Sequence, residues 1–243
     1  MTELADRLAT VQERIEAAAA RGGRRPEDVR IIGVTKTHPP AVAQEAVDLG
    51  VTDLGENRVE EFVAKRERVE GAKWHFIGQL QSRKANALVG TGAVIHSVDR
   101  RSLVDRLERL AEREEVTVET LVQVNVGDDP RKGGCGLDDL DDLVAYARDR
   151  SHLTVTGLMT MPPLPPADAD PAETARPVFA RLRQLRDELW ADASTEGDLS
   201  MGMTADLEAA VEEGATMVRV GTALFGERGP RAWSPARDLE GSW

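Results

Sequence analysis

One cysteine, Cys135, stands in 243 residues. With no second thiol in the chain, an intramolecular disulfide, a Cys-based zinc site and a redox pair are excluded, and the Gly-rich setting of Cys135 assigns it to structure rather than reactivity. No apolar run reaches the roughly 20 residues that span a bilayer, and the opening MTELADRLATVQERI has neither a basic start nor an apolar signal core. A cytoplasmic protein with no membrane partner is expected. Positive charge is scarce too: 31 Lys and Arg against 43 Asp and Glu leave a net charge of -12, which argues against nucleic acid as a partner and restricts an anionic ligand to a focused pocket. No G-x-G-x-x-G follows the first apolar run, which disfavours an open dinucleotide-binding sheet. No metal site is legible. Lysine is the rarest charged residue: Lys36, Lys65, Lys73, Lys84 and Lys132 are the only ones, in a chain whose habit is arginine.

Against that background one stretch stands out. VRIIGVTK, Val29 to Lys36, is a short β-branched run closed by Thr37, His38 and a Pro-Pro breaker, and reads as a buried strand that delivers Lys36 to its C-terminal mouth. A lysine there can be a solvated strand end. It can also be an amine kept for its chemistry, because a lysine partly withdrawn from water loses its proton and attacks a carbonyl, whereas arginine stays charged.

The remaining chain alternates. An amphipathic helix carries Leu4, Leu8, Val11 and Ile15 ahead of the first strand. Further strands are expected at Val51–Gly55, Trp74–Gly78, Ala93–Asp99, Thr120–Val126, Thr154–Thr160, Asp198–Met203 (this one together with its loop) and Thr216–Gly221. Helices are expected between them, including Ala41–Leu49, a stripe of Val59, Phe62, Val63 and Val69, Ser82–Val89 and Ala205–Glu213. The Pro-rich MPPLPPADADP is a surface loop within this rhythm. Eight strands each followed by a helix predict an α/β fold, a (β/α)8 TIM barrel with an additional N-terminal helix, forming a single domain over 1–243 with a C-terminal surface tail at 228–243.

A barrel places chemistry at the C-terminal ends of its strands and phosphate near the loops after strands seven and eight. Ser200, Met201, Gly202, Met203 and Thr204 follow strand seven; Gly221, Thr222 and Ala223 follow strand eight. Small hydroxylated residues and glycine let donors close on a phosphate. Arg219 shares a strand face with Met217 and Gly221 and needs an acceptor, either a ligand or an internal carboxylate such as Glu56. His75, inside a strand, reads as a satisfied core histidine. An amine, a phosphate cup and an arginine together describe a site for a phosphorylated aldehyde, with pyridoxal 5'-phosphate (PLP) the obvious candidate.

GVTKTHP around Lys36, GENRVEE from Gly55, WHFIGQLQSRK from Trp74, HSVD from His96, GLMTM from Gly157, LSMGMTADLEAA from Leu199 and VRVGTALFG from Val218 resemble the pyridoxal phosphate homeostasis proteins, a family similar to the barrel domain of alanine racemase. The resemblance runs from about Leu4 to Gly226. It implies PLP held as a Schiff base on Lys36, with Asn57 beside the ring, Ser200, Gly221 and Thr222 at the phosphate, and Arg219 facing the pyridine nitrogen. A permanently charged donor there weakens the ring as an electron sink. Arg58 and Arg83 depart from the family pattern at the mouth of the site.

Three functions are consistent with these residues. A carrier stores, delivers or buffers PLP, with apo-enzymes as recipients. A PLP-dependent amino-acid racemase or other Schiff-base enzyme turns over a substrate. A barrel that binds another phosphorylated metabolite leaves Lys36 without a task. The carrier is favoured because Tyr146, the only tyrosine, falls on an outer helix and no second base faces the lysine. A monomer is expected.

Overall fold

Residues 2–191, 193, 196–227 and 233–236 are described in the computed structural model of the chain. A Thr2 hydroxyl that accepts from the Ala5 N–H starts α1 (Glu3–Arg21), whose buried stripe is Leu4, Leu8, Val11, Ile15, Ala18 and Ala19. The chain then runs β1 (Arg30–Val34), α2 (Pro40–Asp48), β2 (Asp53–Glu56), α3 (Val59–Arg66) and β3 (Lys73–Phe76). It continues through β4 (Val94–Val98), α4 (Arg101–Glu114), β5 (Val118–Gln123), α5 (Leu140–Arg148), β6 (Leu153–Met159) and α6 (Pro171–Leu189). β7 (Asp198–Ser200), α7 (Leu207–Glu212), β8 (Met217–Val220) and α8 (Thr222–Phe225) complete it.

All eight strands are parallel and close into a barrel in sequence order, with β8 paired back to β1 so that Arg219 lies opposite Ile32. This is the expected (β/α)8 barrel with its extra N-terminal helix. Side chains alternate across the sheet. Leu54 and Trp74 point outward into the layer of helices, where Phe62 meets Trp74 edge-on at 5.8 Å between ring centroids. Gly55, His75 and Val94, in register, point inward, where Val94, Leu121 and Met159 form a separate apolar cluster. α8 is only four residues long, and α1 packs against α7 and α8 to cover that sector. Arg14 fixes it there, donating to both Glu208 carboxylate oxygens at 2.6 and 2.8 Å; that hydrogen bond raises the guanidinium pKa and lowers the carboxyl.

Several boundaries differ from expectation for local reasons. β1 ends at Val34, so Lys36 sits two residues beyond it in a turn. β7 stops at Ser200 because Gly202 takes φ +89°, a left-handed conformation that ends pairing. Ser82–Ala87 is a 3-10 turn, not an α-helix. On α3 the buried face holds Val59, Glu61, Phe62 and Lys65, while Val63 is exposed. The tail expected at 228–243 lies outside the described residues except for 233–236. Within that segment Trp233 is half-buried, and its backbone N–H donates to the Thr37 carbonyl at 2.9 Å.

Candidate functional site

Both neighbours of Lys36 are anchored. Thr35 is fully buried; its hydroxyl donates to Glu56 Oε1 at 2.5 Å and its carbonyl accepts from Lys65 Nζ at 2.6 Å. Thr37 takes φ +67°, a strained conformation for a β-branched residue, while its N–H donates to Glu61 Oε2 at 2.7 Å. Beneath this turn Lys65 Nζ lies 2.5 Å from Glu56 Oε1 and 3.4 Å from Glu61 Oε2, all three residues being buried, and the Trp233 ring covers the amine with its centroid 4.9 Å away. A buried ion network therefore fixes the backbone that carries Lys36.

Lys36 opens into a cavity of about 480 Å³ at the C-terminal mouth of the barrel. The structure brings Lys36, Asn57, Arg219, Gly221 and Thr222 together on its wall, with Thr204, Met203 and Ala205 from the loop after β7. Ile77, Gly78 and Gln79 after β3, and Met161 after β6, complete the rim. Asn57 approaches through the space left at Gly78, where an added Cβ would stand 2.2 Å from the Asn57 carbonyl oxygen. Asn57 Oδ1 is a buried acceptor with no donor among the described residues.

Ser200 departs from the expected phosphate role. It has no exposed surface and does not line the cavity; its hydroxyl lies below Arg219, 2.8 Å from Arg219 Nη1 and 3.0 Å from His96 Nδ1. As the first residue of the SMGMT run and the last of β7, it lies inside the barrel, whereas Thr204, four residues on, reaches the wall. Thr204 Oγ1 accepts from the Ala223 N–H at 3.3 Å and so ties the two phosphate-side loops together.

Arg219 does not pair with Glu56, which Lys65 occupies. Its acceptors are Ser200 Oγ and, at 2.9 Å, the Thr160 carbonyl. Burial pulls the guanidinium down to about 10, opposed by the nearby Asp206 charge, so it is cationic at neutral pH. His75 is the satisfied core histidine the sequence suggested, with Nε2 2.8 Å from Asp53 Oδ1 and Nδ1 2.9 Å from His96 Nε2. Tyr146 is on α5, bonded to Asp105, away from the mouth. Arg58, expected at the mouth, pairs with Glu61 at 3.3 Å, and Arg83 donates to Gln81 at 3.0 Å; neither is among the residues that line the cavity. No cluster of three or more metal-ligating side chains occurs among the described residues.

Chemically the cavity brings together one amine, an orphan amide acceptor, a fixed guanidinium and a cup with two threonine hydroxyls. Gly221 and Thr222 stand where α8 begins, and the first N–H groups of a helix have no intrahelical acceptor. That donor set suits a phosphorylated aromatic aldehyde.

The family model described as "Alanine racemase, N-terminal domain" matches residues 7–229. A pyridoxal phosphate homeostasis protein of Aquifex aeolicus is 42% identical over 226 residues, covering 92% of this chain and 97% of the relative. The protein of that name in Escherichia coli K12 is 37% identical, covering 94% and 98%. The solved structure of PipY from Synechococcus elongatus PCC7942 with PLP bound superposes with a TM-score of 0.78 at 34% identity, covering 92% of this chain and all of that one. By sequence and by fold, the chain belongs to the family of the pyridoxal phosphate homeostasis proteins, built on the alanine racemase N-terminal barrel.

Proposed function

We propose that this protein binds pyridoxal 5'-phosphate covalently at Lys36 and serves intracellular PLP homeostasis by storing, delivering or buffering the cofactor, without a turnover of its own. One observation carries the reading: Lys36 shares a single cavity with Arg219 and with the Thr204, Gly221 and Thr222 cup. When bound, PLP would supply an aldehyde electrophile, and Lys36 is the amine that would hold it.

The chain's own residues then divide the binding. Thr204, Gly221 and Thr222 donate to the phosphate, Thr204 taking the role that sequence alone gave to Ser200. Asn57 Oδ1, the orphan acceptor, is the group that would accept a hydrogen bond from a ring hydroxyl. Arg219, donor only, faces the ring nitrogen and keeps it unprotonated. The anchored Thr35–Thr37 turn holds Nζ at one depth. Tyr146 lies on the outer layer, so no tyrosine among the described residues faces Lys36 as a second base. A cytoplasmic monomer that hands PLP to apo-enzymes fits these features, and no described helix is long and apolar enough to cross a membrane.

The test is visible absorption of the purified protein with PLP, borohydride reduction with peptide mapping, and an amino-acid racemisation assay on the same sample. A reduced adduct on Lys36 without turnover is expected. Turnover lost in Lys36→Ala would make the protein an enzyme, and an adduct elsewhere would remove the reading.

A further inference from the structure

The barrel interior contains a file of polar side chains that PLP binding alone does not require. Asp53 opens β2 at the lower end of the barrel; His75 on β3, His96 on β4 and Ser200 on β7 lead up to Arg219 on β8 at the cavity. The four contacts are 2.8 Å from Asp53 Oδ1 to His75 Nε2, 2.9 Å from His75 Nδ1 to His96 Nε2, 3.0 Å from His96 Nδ1 to Ser200 Oγ, and 2.8 Å from Ser200 Oγ to Arg219 Nη1. His75, His96 and Ser200 have no exposed surface.

The ends of this file dictate its protons. Arg219 can only donate, so Ser200 Oγ accepts from it. Asp53 is an acceptor, so His75 carries a proton on Nε2. His96 is neutral, because burial, with the Arg219 charge adding to it, holds it well below the ordinary imidazole range. Two arrangements remain. If His75 were doubly protonated, His96 would donate to Ser200 from Nδ1, and the buried Ser200 proton would be left without an acceptor. If His75 is neutral, every contact has one donor and one acceptor: Ser200 donates to His96 Nδ1, His96 Nε2–H donates to His75 Nδ1, and His75 Nε2–H donates to Asp53. Leaving no buried hydroxyl unpaired selects the second.

We infer that His75 and His96 are positioning residues for Arg219, acting through Ser200 in a one-way hydrogen-bond chain that ends on Asp53. Each bond in such a chain polarises the next, and the chain fixes the guanidinium by Nη1 while the Thr160 carbonyl holds Nη2. Two acceptors on different segments, Ser200 on β7 and Thr160 just past β6, leave a planar donor one orientation on the cavity wall. The task of that orientation, meeting a ring nitrogen, rests on the PLP reading above; the chain itself does not.

The tautomers are measurable without cofactor. In long-range proton–nitrogen NMR spectra of the cofactor-free protein at pH 7.5, both histidines are expected to carry the proton on Nε2 and to have a bare Nδ1, with slowly exchanging Arg219 guanidinium protons that Ser200→Ala releases. With PLP added, Ser200→Ala and His96→Leu are expected to bind about tenfold more weakly and to shift the absorption band of the Lys36 adduct. His96→Gln, whose amide supplies one acceptor and one donor, should restore much of both. A proton on Nδ1 of either histidine overturns the chain. Unchanged guanidinium exchange in Ser200→Ala overturns the positioning role, as does equal PLP binding by the His96→Leu and His96→Gln variants. Wild-type protein that forms no adduct on Lys36 would instead sink the PLP reading, while the tautomer and exchange measurements still decide the chain.

Discussion

Lys65 Nζ lies 2.6 Å from the carbonyl oxygen of Thr35, the residue before Lys36. Two lysines, 29 positions apart in sequence, thus occupy opposite sides of one turn: one faces the cavity, the other is sealed below it with Glu56 and Glu61. Removing one partner of a buried ion cluster leaves uncompensated charge, at a cost of about 3–5 kcal/mol. Lys65→Met should lower stability by that order in urea unfolding and weaken PLP binding through the Lys36 turn.

The same variant should acquire a particular pH dependence. Burial pushes the Glu56 carboxyl above its ordinary value, while Lys65 and Thr35 pull it back. A carboxyl raised in the folded state binds more protons there than in the unfolded chain, so its contribution to stability falls as pH rises through the window above the unfolded value. Without Lys65 that window extends upward. Urea midpoints of Lys65→Met should therefore fall more steeply than wild type between pH 5 and pH 8, to be checked by paired titrations.

Thr204→Val and Thr222→Val each remove a hydroxyl donor from the proposed phosphate cup while keeping the shape of the side chain. A hydrogen bond to a charged group is worth about 1.5–3 kcal/mol, so PLP affinity should fall roughly 10- to 100-fold. Inorganic phosphate should compete with PLP in wild type and in Ser200→Ala, but much less in these two variants; isothermal titration distinguishes the cases.

Gly78→Ala tests the wall on the other side. Its Cβ would meet backbone, the Asn57 carbonyl, at 2.2 Å, a contact no rotamer relieves. Loss of PLP binding together with a lowered melting temperature is expected. Gly90 is the control: it has φ +79° and nothing within 4 Å of an added Cβ, so Gly90→Ala should cost only about 1–2 kcal/mol of backbone strain and leave PLP binding unchanged.

Cys135 should be inert. Burial pushes its thiol up to about 12, so its thiolate population at pH 8 is lower by about a thousandfold than that of an unfolded chain. Alkylation followed by mass spectrometry should be slow in native protein and fast in urea.

The barrel was legible because its signals are local and repeated. Each strand is a short apolar run ended by a polar or glycine residue, and each helix has its own stripe. Lys36, Arg219, Gly221 and Thr222 could be read because they end strands or stand next to them, where topology assigns the mouth; Asn57 came only from the family resemblance. Ser200 and Thr204 could not be separated, since the two stand within five residues where β7 gives way to its loop; only the turn at Gly202 makes one an interior residue and the other a wall residue. Lys65 was hidden for a different reason. In EEFVAKRERV a lysine looks like part of a solvated face, and the sign that it is buried, Glu56, comes from the end of the preceding strand. The closing Trp233 had no periodic neighbours to announce it.

Arg14 and Glu208, which tie α1 to α7, are 194 residues apart. At the usual pace of synthesis, about 5–20 residues per second, the stripe of Leu4, Leu8, Val11 and Ile15 leaves the ribosome about 10–40 s before its partner helix exists. The helix that finishes the outer ring is thus the first to be made and among the last to be covered. During that interval it is an exposed apolar surface, open to chaperones or to other nascent chains.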